Sequence, residues 1–278
     1  MRPIYLTIII IFFSSSSCIG PSSAPEHSSE ELAQQLGDVM ASIDEFAAAA
    51  EPSSGFVDPL EPRCFDSVYS DCSVRGQKVR TFNDCTIHGA VFTGSVTFSW
   101  NNAVNCALTL LPESVTRAPN IRVTGRRDAT LTITKSGSYG QRLTWVSGTG
   151  TDKVYTFESD GINRVFRTAT GLVDFDHTTS TLTPLFVSGT TRSNRIVYSG
   201  TLRVRDNLNQ DFCDYTPENV EWTALCNCPT KGVWSGSCSN ENLTKLTLTG
   251  CGTGLFEDGA FTENVVFDRC APQINIPF

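Results

Sequence analysis

Ten cysteines lie downstream of residue 60 in this chain, four up to Cys106 and six from Cys213, and none falls between. The first group is Cys64, Cys72, Cys85 and Cys106; the second is Cys213, Cys226, Cys228, Cys238, Cys251 and Cys270. Both groups are even, so each can pair completely within itself. Such a chain is pinned at its two ends and must hold its centre by packing. Cysteine density of this kind points to an oxidising compartment outside the cytosol. Disulfides are the better reading than zinc, because Cys226 and Cys228 are spaced C-x-C rather than C-x2-C. The three His are His27, His88 and His177, too few in the body for a three-His centre, so no metal and no cofactor is expected.

Gly 21, Pro 13 and Phe 17, with abundant Ser and Thr, favour a turn-rich β protein. Short alternating runs recur at 91–100, 120–124, 130–134, 141–146, 153–157, 195–198, 201–205, 245–249 and 264–268. In the run Thr130, Leu131, Thr132, Ile133, Thr134 the hydroxyls face one way and the aliphatics the other, as a half-buried antiparallel strand requires. Turn signals at Ser136-Gly137, Ser147-Gly148, Asp160-Gly161, Ser188-Gly189 and Ser199-Gly200 suggest successive hairpins. The fold class read from this pattern is all-β: an antiparallel meander forming a sandwich or a curved, barrel-like sheet, rich in disulfides. A β-helix is the alternative, although no fixed repeat period is present.

The N-terminus carries a different message. Arg2 is the only charge before the apolar run 4–13, which is too short to span a bilayer and has the layout of a secretory signal. Four serines then lead into Cys18, and this order resembles the lipoprotein signals of Gram-negative bacteria, departing from them at Ser15. The resemblance implies a signal peptide at 1–17, lipidation of Cys18 and, with Ile19 following, an outer-membrane lipoprotein of the cell envelope. Ordinary cleavage after Ser17, giving a secreted protein, is the alternative. Parity agrees with lipidation, since a free Cys18 would leave an odd thiol.

Residues 19–62 hold nine acids and no Lys or Arg. Within them Leu32, Leu36, Val39, Ile43 and Phe46 recur on one helical face, after Ser28 and Glu31 in capping-box spacing. The domain plan is therefore a signal peptide (1–17), a lipidated acidic tether with a short amphipathic helix at about 29–50 (18–62), and an all-β domain (63–278). The helix is read either as a docking element or as one that lies on its own domain. Near the other end, the run from Cys226 to Cys238, followed by Leu246 to Gly252, resembles uncharacterised cysteine-rich bacterial envelope lipoproteins. That resemblance implies location alone.

Charge is segregated along the body. Residues 117–205 contain thirteen bases, eleven of them Arg, against six acids; residues 206–278 contain three bases against ten acids. Period-2 parity sends Arg122, Arg203 and Arg205 to the wet face. With Arg126 and Arg127 they form the candidate ligand-binding set, suited to anionic polysaccharide or lipopolysaccharide phosphates. The counter-reading is that these Arg pair with the C-terminal carboxylates across neighbouring strands. No nucleophile elbow, zinc-protease or phosphate-loop motif is present, and no catalytic residue is assigned. The functional expectation is a membrane-tethered extracytoplasmic binding or structural module. Its partners are the bilayer, through the lipid anchor, an anionic glycan, or another protein, with nucleic acid disfavoured. The alternative is a hydrolase of envelope polymers using Asp174 and Asp176.

Overall fold

The computed structural model describes residues 29–50, 67–69, 71–73, 75–87, 90–102, 106–125, 127–267 and 270. Among the described residues one α-helix, α1 (Ser29–Ala50), precedes fifteen strands. These are β1 (Ser67–Tyr69), β2 (Gln77–Ile87), β3 (Ala90–Trp100), β4 (Ser114–Thr124), β5 (Thr130–Lys135), β6 (Gln141–Ser147), β7 (Val154–Ser159) and β8 (Ile162–Arg167). There follow β9 (Val173–Ser188), β10 (Ile196–Asp206), β11 (Phe212–Trp222), β12 (Pro229–Cys238), β13 (Leu243–Gly250), β14 (Thr253–Asp258) and β15 (Phe261–Val266). All pair antiparallel in a single sheet. The curved single sheet is thus the arrangement found, rather than two stacked sheets or the parallel coil of a β-helix.

The meander is regular except at its centre. β4 pairs with β6 over residues 114–117 and with β5 over 120–124. β9 pairs with β8 over 173–179 and with β7 over 185–188. Two short pairs, β5 with β8 and β6 with β7, are therefore set end to end between two long strands. Where the ladder divides, backbone amides lose strand partners and must find others. The Asp160 carboxylate supplies them, accepting from the N–H groups of Ser138, Tyr139 and Gly140 at 2.6, 3.0 and 2.7 Å.

The sheet curls around α1. Phe46 packs edge-on against Phe98 of β3 and Phe157 of β7, at 6.3 and 5.9 Å between ring centres. On the opposite side Gly37 lies against Phe267, just past β15, and Gln34 donates to the Val266 carbonyl. Leu32, Leu36, Val39, Ile43 and Phe46 are buried as their spacing predicts, but so are Ala33, Met40, Ala41 and Ser42 on the other faces. The helix matches its expected bounds and packs on its own domain, the second of its two expected readings, more deeply than one apolar stripe implies. It is the axle of the core, and its small residues Ala33, Gly37 and Ala41 let strands approach closely.

The turn expected at Ser199-Gly200 is also corrected: both residues lie inside β10, at a bulge against β9. Gly200 has φ +110, and a Cβ there would run into the Pro184 carbonyl. The dipeptide bends a long strand and does not end it.

Four disulfides are described, Cys72–Cys106, Cys213–Cys238, Cys226–Cys251 and Cys228–Cys270. Each stays within its expected group. Cys85 is also disulfide-bonded, while Cys64, Cys18 and the signal segment lie outside the described residues.

Candidate functional site

The thirteen bases of 117–205 separate into three sets. The first turns inward to α1. Arg117 pairs with Glu45 at 2.7 Å and Arg164 with Asp38 at 2.6 Å, while Arg192 and Arg195 share Asp44, Arg192 at 2.7 Å. His177 joins this set, with Nδ1 3.4 Å from Gln35 Nε2 and Nε2 4.0 Å from Glu31. The second set is held on the sheet. Arg142 pairs with Glu158, Arg203 makes a two-pronged contact with Asp214 at 2.7 and 2.8 Å, and Arg205 donates to Gln210. Lys153 lies over the Trp145 ring and Lys135 donates to the Ser138 carbonyl. The third set comprises Arg122, Arg127 and Arg167, exposed and with no carboxylate partner among the described residues. Arg126 lies outside those residues.

The candidate contact set therefore does not act as one group. Arg203 is engaged on both prongs, its guanidinium 3.8 Å from the Phe212 ring, and hydrogen bonding to Asp214 raises its already high pKa. This agrees with pairing to C-terminal carboxylates. The larger share of the Arg surplus is met by helix carboxylates, a pairing that period-2 parity could not reveal.

A groove does form on the outer face, among hydroxyls that the alternation places there. Ser95, Thr97 and Ser99 of β3 stand opposite Asn120, Ala118 and Thr116 of β4, and Asn120 stands opposite Thr134 of β5. Ala118 is small and forms a low floor. At the break between β5 and β6 the connecting loop rises as a wall carrying Ser138 and Tyr139, braced from below by Asp160. These residues, with Pro119 and Lys135, enclose about 600 Å³. Arg142 lies over the Tyr139 ring at 4.6 Å. Burial pushes the Tyr139 phenol up, against the pull of Arg142, so it stays protonated and can donate at neutral pH.

The lining contains hydroxyls, one amide, one phenol and one ammonium, and no carboxylate. It can exchange hydrogen bonds with a polyhydroxylated ligand and has no acid–base pair of its own. Arg122 is two residues from Asn120 on the same face of β4, about 7 Å along the strand. Lys135 sits at the other rim, so the groove is flanked by two cations. Alternation in 95–99 and 130–134 marks these hydroxyls as outward. The sequence carries no signal that the two runs share one strand as neighbour, or that Tyr139 stands beside them.

The Asp174-Phe-Asp176-His177 cluster is divided by the pleat. His177 is buried against α1, Asp174 is exposed on the other face, and Asp176 accepts from Asn163 and Asn207, both at 2.7 Å. Among the described residues no three His, Cys, Asp or Glu side chains converge as a metal site. No protein family, curated protein or solved structure matches the chain.

Proposed function

We propose that this protein is an extracytoplasmic binding module for acidic glycans, held to the outer membrane by a lipid on Cys18. The observation that carries the reading is the 600 Å³ outer-face groove, rich in hydroxyls and lined by Lys135, with Arg122 two residues along β4 from its Asn120. Hydroxyls and an amide suit sugar hydroxyls, and the rim cations suit uronate, sulfate or phosphate substituents. The described disulfides support an oxidising compartment. With α1 packed inside the body, ten residues, 19–28, separate Cys18 from it, a chain length of at most about 35 Å. That length would keep the domain close to the bilayer.

Retention on immobilised heparin, compared with neutral dextran, tests the reading. Wild type should be retained by heparin alone and released by salt, because exposed charge contacts are screened. Arg122→Ser with Lys135→Ser should lose retention at an unchanged thermal midpoint, both side chains being exposed. Retention unaltered in the double variant would reject the groove. A hydrolase would need a cleft with two facing carboxylates, and the groove offers none.

A further inference from the structure

On the same outer face a second feature lies beyond the groove. Phe186 of β9 and Tyr198 of β10 are 37% and 43% exposed, with ring centres 6.1 Å apart and planes tilted by 38°. Their chain neighbours Leu185, Val187 and Val197 are buried, so the pleat compels this pair to point outward. Val146, at the end of β6, is exposed as well. Leu182 of β9, Leu243 of β13 and Phe261 and Val266 of β15 are exposed too, but between the groove and the pair the outward positions are Thr144, Thr156, Arg142 and Glu158. More than a third of each of these two aromatic residues stays in water after folding, and together they offer an apolar ledge on an otherwise hydroxyl-rich stretch of the face.

The register connects the pair to the groove. Ser114 of β4 stands opposite Thr144 of β6, Thr144 opposite Thr156 of β7, and Thr156 opposite Phe186. Thr116, which lines the groove, is two residues along β4 from Ser114. The distance is three strand spacings, roughly 15 Å. The path between is polar throughout: Thr144 and Thr156, beside the Arg142–Glu158 ion pair. A rigid compact ligand would leave that path empty. A chain of sugar units would use all of it, hydrogen-bonding along the threonines and seating the apolar C–H face of a pyranose on the rings.

We infer that Phe186 and Tyr198 form a distal subsite, and that the ligand is a glycan chain running across the strands from the Tyr139 groove to this aromatic pair. The inference rests on the glycan reading of the groove and adds the length and direction of the ligand. Heparin-derived disaccharide and dodecasaccharide, titrated calorimetrically into the full chain, separate the two claims. Wild type should bind the dodecasaccharide at least tenfold more tightly than the disaccharide. Phe186→Ala with Tyr198→Ala should remove about tenfold of that long-chain affinity while leaving the disaccharide unaffected. Arg122→Ser with Lys135→Ser should weaken both. Should the aromatic variant keep the full long-chain advantage, the distal subsite is wrong and the groove stands. Sedimentation of the same samples covers self-association: a wild-type dimer lost in the aromatic variant, with unchanged oligosaccharide affinity, also overturns the subsite. If neither oligosaccharide binds wild type, the groove reading and this extension fail together.

Discussion

Asp44 of α1 receives two guanidinium groups from the sheet, and its replacement has a calculable cost. Its carboxylate is 3% exposed and receives the guanidinium of Arg195, also 3% exposed, and that of Arg192, 17% exposed. Burial pulls the Arg195 pKa below its ordinary value, even with Asp44 beside it to favour the charge. Taking two charges out of water offsets much of what their attraction gains, yet breaking the pair is expensive. Removing one partner of a buried ion pair leaves an uncompensated charge and costs about 3–5 kcal/mol. Asp44→Ala should cost that much, most of it through Arg195, since the more exposed Arg192 can turn its head to water. For a domain of this size about 2–4 °C of midpoint accompanies each kcal/mol, so the midpoint should fall by roughly 6–20 °C. Arg192→Ala alone should cost less than Asp44→Ala, because Arg195 still neutralises the Asp44 carboxylate. Asp44→Leu with Arg195→Leu removes both charges, and should recover most of the single-variant loss. Urea unfolding of all variants with disulfides intact, with the slope checked for constancy, measures each value. An Asp44→Ala cost below about 1 kcal/mol would refute the buried pairing. A double variant as unstable as the single would refute the desolvation argument.

Two further outcomes are expected, one from the structure and one from the N-terminal sequence. Gly37→Ala would normally gain about 1 kcal/mol in a helix interior. Here the added methyl would sit 3.0–3.2 Å from the buried Phe267 side chain, so a lowered midpoint is expected, and a raised one would show that Phe267 yields. Separately, wild type should partition into the detergent phase and Cys18→Ser into the aqueous phase. Equal partitioning of the two would exclude the lipid anchor.

The sequence displayed the elements of this fold better than their destinations. The bounds of α1 were legible because five apolar residues share one helical face, and those same residues suggested a surface helix. What could not be read is that Ala33, Met40, Ala41 and Ser42 are buried too. Small and weakly polar side chains are silent about burial until the sheet that covers them is known. Asp38, Asp44 and Glu45 looked like solvated tether charge because their partners are remote: Arg192 and Arg195 lie 148 and 151 residues from Asp44. Strand β11 escaped notice for a related reason. Its outward positions carry Asp214, Glu218 and Glu221, and the alternation breaks at Glu218-Asn219, where the register shifts, although Tyr215, Val220 and Trp222 are buried behind them. The groove was half legible: its hydroxyls follow from alternation, but the loop wall exists only where the β4 ladder divides.

The charge segregation that first suggested a ligand surface acquires a structural meaning from its partners. Arg117, Arg164, His177, Arg192 and Arg195 all fall in the stretch that has no cysteine, and each faces a polar residue of α1. The disulfides, by contrast, tie the segments on either side of that stretch. The two devices divide the sheet between them: covalent bonds hold its flanks, and carboxylates on one helix hold its centre. β4, which contributes Thr116, Ala118 and Asn120 to the groove, also carries Arg117, whose side chain points the opposite way to Glu45. Consecutive residues on one strand thus connect the outer groove to the inner helix. Disturbing the helix pairs should therefore loosen the groove directly, while reduction should loosen the flanks first.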